Sequence, residues 1–137
     1  MPDTYYLDFE TVEIINMSFC GEGAGIRDLN GVRGIVDRPK SQYMETILFP
    51  TVFDKAAALL HGFATTQYFS DGNKRTAFLS ATVFLSANGR VWGNISADDA
   101  EPFLLGVAAN KIAIDDVARW LELNSSPVSS NIPSPNR

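Results

Sequence analysis

Between Asn73 and Ala87 the apolar residues Ala77, Phe78, Leu79, Ala81, Val83, Phe84 and Leu85 surround a helix instead of lining one face. A helix that is apolar all round must be packed on every side, so the rest of the chain has to supply covering elements. Asn88-Gly89 ends it. Directly before it runs Gln67-Tyr68-Phe69-Ser70-Asp71-Gly72-Asn73-Lys74-Arg75. A loop of this composition opening into a helix builds a phosphate site. Gly72 lets the backbone turn tightly, and the first amides of the helix have no partners of their own. The helix dipole adds roughly half a positive charge, and Lys74 and Arg75 add two full ones. Asp71 stands at the rim, where a carboxylate can hold a divalent cation bridging phosphates.

The covering elements are legible as helices. Asp8 is placed to cap a helix through Phe9, Val12, Ile15 and Met17, ending near the glycine-rich stretch at 21–25. Asp28 opens a short helix through Val32 and Ile35, stopped before Pro39. Residues 43–48 are rich in β-formers and are expected to form a small hairpin or flap. Pro50 suits the first turn of a long helix whose Phe53, Ala56, Ala57, Leu60, Phe63 and Ala64 make one buried stripe. Arg90-Val91-Trp92 reads as a connector. Asp98 or Asp99 caps the next helix, with Pro102 in its first turn and Ala100, Phe103, Leu104, Val107 and Ala108 buried. A last helix uses Val117, Ala118, Trp120 and Leu121. The expected fold is one all-α domain with a small β flap over residues 1–124. Residues 125–137, rich in Ser, Pro and Asn, are expected to form a disordered tail.

Composition narrows the function classes. The 137 residues suit a single domain with a real core. A net charge of −5 argues against a nucleic-acid binder, which would carry a basic face. The single cysteine, Cys20, has no internal disulfide partner. With no signal peptide and no long apolar span, the expected location is a reducing cytoplasm, away from membranes.

The segment Phe69-x-Asp71-Gly72-Asn73-Lys74-Arg75-Thr76-Ala77 resembles the signature of the Doc (death-on-curing) branch of the Fic superfamily. Gly25-Ile26-Arg27-Asp28-Leu29, Asp37-Arg38-Pro39, residues 55–60 and residues 84–89 resemble further segments of that family, so the likeness spans roughly 5–124. It implies an all-α domain with the motif loop at the start of a central helix. Fic proteins usually transfer a nucleotide monophosphate to a hydroxyl side chain. The Doc branch has Lys at the position of Lys74 and is understood to hold the nucleotide reversed. The terminal phosphate then goes to a threonine of elongation factor Tu. The resemblance therefore implies a protein kinase using Mg2+ and ATP or another nucleoside triphosphate, neutralised by a Phd-like antitoxin. Asp71 would hold the metal. Gly72 and Asn73 would hold phosphates through backbone and side-chain amides, and Lys74 and Arg75 the developing charge.

The family's motif starts with a histidine serving as general base, and here that position is Gln67. An amide can orient a hydroxyl but accepts no proton at a useful pKa. Losing a general base typically costs about 10²–10⁴ in rate. Either the chain is a disarmed form of an active toxin, or it is a natural variant with lost or altered activity. A nucleotidyl (AMP) transferase and a catalytically silent nucleotide- or antitoxin-binding module are the alternatives. His61, the only histidine, is placed on the same helix as Gln67, about 9 Å of rise away, and reads as structural. Phe69 reads as a core anchor for the loop. Arg38, Lys40 and Tyr43 near the flap either receive a strand from a partner or are simply solvated. The run from Ser18 to Gly23 matches the Ser/Thr-x-x-x-Glu-Gly inhibitory pattern of larger Fic proteins, but without their later arginine it reads as coincidence.

Overall fold

Side-chain caps set where the first three helices begin. In the computed structural model, which describes residues 3–21 and 24–128, the Asp8 carboxylate accepts from the Thr11 amide and opens α1 (Phe9–Cys20). Asp28 accepts from the Gly31 amide at the start of α2 (Leu29–Asp37). Thr51 and Asp54 form a reciprocal capping box at the start of α3 (Val52–Ala64). Pro50 thus stands outside that helix, one residue before its cap, and not in its first turn as expected. With α4 (Asn73–Ala87), α5 (Glu101–Ala108) and α6 (Ile114–Leu123), six helices make up the fold among the described residues. The domain is all-α, as its periodicity predicts.

Which helix is central differs from the sequence reading. The expected single stripe of α3 is in fact burial around most of its surface, including Lys55, Ala58, Leu59 and Gly62. It packs against α2, α4, α5 and α6. Small residues permit that enclosure: a Cβ added to Gly62 would lie 2.8 Å from Ile35 Cγ2. Helix α4 buries Ala77, Phe78, Ala81, Phe84 and Leu85 but turns Val83 to solvent. On α1, Val12 and Asn16 are buried while Met17 is exposed.

The flap is present as β1 (Gln42–Tyr43) paired antiparallel with β2 (Thr46–Ile47). One helical turn at Arg38–Lys40 leads into it. Its two ends are tied to α3 by cations. Arg38 Nη1 donates to the Ala58 carbonyl at 3.1 Å and to His61 Nδ1 at 3.3 Å. Buried Lys55 Nζ donates to the carbonyls of Phe49 and Pro50.

A second ribbon corrects two expectations. Arg90–Trp92 is strand β3, not a connector, and it pairs antiparallel with β4 (Ser125–Pro127). The folded domain therefore runs past residue 124. The rest of the expected disordered tail, 129–137, lies outside the described residues, as do Glu22 and Gly23 of the inhibitory pattern. Neither Asp98 nor Asp99 caps α5. Ser96 and Asp99 bond each other across the turn before it, and Asp98 reaches Arg75 instead. Pro102 does fall in the first turn of α5. Trp120 of α6 stacks on Phe103 with ring centroids 4.0 Å apart, and Trp92 and Phe78 complete the cluster.

Candidate active site

The loop between α3 and α4 is held from both sides. Helix α3 ends at Ala64 with Thr65 as its cap, so Gln67 lies in the loop and not on the helix that carries His61. Residues 25–28 run alongside 68–70. Arg27 and Asp28 amides donate to the Tyr68 carbonyl at 2.7 and 3.1 Å, and the Ser70 amide donates to the Gly25 carbonyl at 2.9 Å. Phe69 is buried with its ring 5.7 Å from that of Phe63, as a loop anchor should be. The Asn73 side chain closes the turn on itself, accepting from the Phe69 amide and donating to the Phe69 carbonyl, both at 3.0 Å. Its side-chain amide is thus committed to the loop.

Gly72 is the N-cap of α4 and sits in the left-handed region at φ 73°, ψ 25°. A glycine has no side chain to cap with, and no side-chain cap is made. As at any helix start, the first amides of α4, from Asn73 to Arg75, have no intrahelical acceptor, and here no side chain takes their place. In α1, α2 and α3 a side-chain cap takes up one such amide; α5 and α6 have no side-chain cap either, but among the six only α4 begins at a left-handed glycine. The Gly72 amide itself donates to Asp71 Oδ1 at 2.8 Å, and the other carboxylate oxygen of the exposed Asp71 has no hydrogen-bond partner among the described residues.

The loop's side chains gather around an open pocket of about 370 Å3, lined by residues 70–75 together with Ala64, Thr66, Gln67, Glu101 and Ala108. The sequence-predicted residues Gln67, Asp71, Gly72, Asn73, Lys74 and Arg75 therefore share one site. Lys74 has no ion-pair partner among the described residues, whereas Arg75 Nη2 meets Asp98 Oδ1 at 2.8 Å and its guanidinium lies 5.6 Å from the Phe19 ring. Gln67 is exposed and makes no side-chain hydrogen bond among the described residues. Glu101, on α5, was not singled out by the sequence, because nothing local marks a first-turn glutamate as facing a loop so far away in the chain.

Other candidates fall elsewhere. His61 is turned toward Arg38, and burial followed by that guanidinium pushes its pKa below the ordinary 6.5. Burial also lowers the Arg38 pKa, and Arg38 faces α3 and not the outer flap. Lys40 lies over the Tyr6 ring at 5.2 Å, and Tyr43 is exposed on β1. Among the described residues, no three His, Cys, Asp or Glu side chains are grouped to hold a metal by themselves. A magnesium ion needs fewer: one carboxylate plus substrate phosphates and water complete its octahedron. The free oxygen of Asp71 beside the open helix start fits that requirement. No helix among the described residues is long and apolar enough to cross a membrane.

Fold and loop together define a mainly helical domain in which an uncapped helix start stands beside the Asp71 carboxylate and the unpaired Lys74. The sequence model of the Fic/DOC family matches residues 6–85, from before α1 to near the end of α4. Toxin Doc of Mycolicibacterium smegmatis is 34% identical over 119 residues, covering 86% of this chain and 92% of that protein. The chain belongs to the Fic/Doc family.

Proposed function

We propose that this chain is the toxin of a toxin–antitoxin pair, acting in the cytoplasm. Its site is built to move the terminal phosphate of a nucleoside triphosphate onto a threonine of elongation factor Tu. The observation that carries the reading is the glycine-capped start of α4. It leaves backbone amides open beside the unpaired Lys74 and the free carboxylate oxygen of Asp71. In the reaction the threonine oxygen bonds to the γ-phosphorus as the bond to the β,γ-bridging oxygen breaks, and the nucleoside diphosphate leaves. The α4 amides and Lys74 stabilise charge on the phosphoryl oxygens, and Arg75 stands next to them at the helix start. Magnesium, held by Asp71 when bound, supplies further neutralisation of the phosphates. The threonine proton would pass to a histidine at position 67 in the active form, and Gln67 cannot take it. This chain is accordingly a slow or inactive kinase, neutralised in its active form by a Phd-like antitoxin.

The exposed, unbonded Gln67 favours a second reading, a nucleotide- or antitoxin-binding module without chemistry. One experiment separates them. This chain and Gln67→His are incubated with γ-labelled ATP, magnesium and elongation factor Tu, and the target is weighed by mass spectrometry. Label in the histidine form, exceeding that in the glutamine form by about 10²–10⁴, supports the kinase. A nucleotide-sized adduct would mean AMP transfer. No adduct in either form would leave the binding module.

A further inference from the structure

The last turn of α1 holds the far side of the phosphate loop, through residues the motif does not contain. Asn16, Phe19 and Cys20 are spaced i, i+3, i+4 and so share one face of the helix. All three reach the loop or the first turn of α4. Asn16 is 1% exposed, and its Nδ2 donates to the Asp71 carbonyl at 2.9 Å and to Thr76 Oγ1 at 3.0 Å. Cys20 Sγ donates to the same Asp71 carbonyl at 3.6 Å. A Cβ on Gly72 would meet the Phe19 ring at 2.5 Å and Cys20 Sγ at 2.6 Å, so helix and loop are already in close contact.

The Asp71 carbonyl belongs to the peptide whose amide is that of Gly72. Fixing it fixes the plane of that peptide, the amide donated to Asp71 Oδ1 and the direction of the remaining carboxylate oxygen. The second bond, to Thr76, ties the same amide group to the helix that offers the phosphate amides. Burying a primary amide with Oδ1 lacking a partner among the described residues is costly for a purely structural bond. A buried amide that spans the proposed metal-binding residue and the first turn of α4 has a use that repays this.

We propose that Asn16 is a positioning residue for the Asp71–Gly72 peptide, setting the direction from which the Asp71 carboxylate would hold magnesium against the triphosphate. The inference rests on the reading of the loop as a magnesium–nucleotide site. Losing a group that hydrogen-bonds and orients a metal ligand typically changes metal affinity by about 10–100-fold.

The test compares the full chain with Asn16→Leu, and with the double variant Asn16→Leu/Thr76→Val. The single variant strands the buried Thr76 hydroxyl and takes one donor from the Asp71 carbonyl, and is expected to lose stability. The double variant restores an apolar pair of similar shape and is expected to regain much of it. The probe is AMP-PNP, titrated by calorimetry with magnesium and again with EDTA. Positioning predicts that the double variant binds AMP-PNP in magnesium about 10–100-fold more weakly than the parent, with binding in EDTA unchanged. It also predicts faster exchange of the Gly72 amide, now bonded to Asp71 Oδ1, in the metal-free protein. If the double variant regains stability together with parental magnesium-dependent affinity, Asn16 is only a structural bond and the inference is overturned. A parent chain that binds AMP-PNP in neither condition overturns the nucleotide-site reading itself, and the inference with it.

Discussion

Gly72 and Gly89 both adopt left-handed backbone, at φ 73° and 86°, yet only one is crowded. An added Cβ at Gly89 meets nothing within 4 Å, whereas at Gly72 it meets Phe19 and Cys20. Left-handed backbone costs a non-glycine residue about 1–2 kcal/mol. Gly89→Ala should therefore lose about that amount, measured by urea unfolding. Gly72→Ala should lose more and should also weaken triphosphate binding, since either α1 or the loop has to move. Equal losses would show that the contact with α1 is soft. Gly72 was legible from sequence as the turn that opens the helix. Asn16 was not, because it sits mid-helix 55 residues earlier than Asp71, in a stretch whose signals are those of an ordinary amphipathic helix.

At the scale of elements, the helices follow their caps more closely than their hydrophobic stripes. The Thr51–Asp54 box explains why α3 starts after Pro50, and Thr51→Ala should cost about 0.5–2 kcal/mol, read as a lowered urea midpoint. Boundaries marked by Asp8, Asp28 and Asn88-Gly89 were legible, because these are local signals that act locally, whereas the end of α3 before Gln67 and the start of α5 were not. The β3–β4 ribbon was hidden for the opposite reason. Ser125-Ser126-Pro127 has no strand propensity, and its partner lies 35 residues away, so only the folded arrangement brings the two together. Arg90 Nη2 donates to the Ser125 carbonyl at 2.8 Å, and the Gly93 amide to the Asn124 carbonyl at 2.8 Å. Truncation after Asn124 should therefore lower the melting temperature relative to truncation after Val128. Matching melting temperatures would make the ribbon ornamental.

Across the whole molecule, one enclosed helix connects the flap, the core and the candidate site. Helix α3 carries His61 and Ala58 against Arg38 at one end of the flap and Lys55 against the other, while Phe63 meets Phe69 under the loop. Sequence periodicity identified its residues as apolar but could not rank it above α4, since enclosure depends on what the other helices cover. The buried side of this arrangement makes stability depend on pH. Burial and Arg38 push the folded His61 pKa below the ordinary 6.5, and Arg38 donating to Nδ1 requires that nitrogen to be unprotonated. Above 6.5 the imidazole is neutral in both states and contributes no slope. As pH falls through 6.5 the unfolded chain takes up its proton first, so it binds more protons than the folded chain and stability declines. The decline levels off below the folded pKa, where both forms are protonated. Asp8 acts in a separate window. Its carboxyl is held below the ordinary 3.8 by the Thr11 hydroxyl and amide, so its contribution fades only as pH falls below that value. The melting temperature should thus drop between about pH 7 and pH 5, in the histidine range, and His61→Gln should flatten that segment while leaving any loss below about pH 4 in place. An unchanged slope in His61→Gln would mean that the contact with Arg38 does not control titration of the folded state.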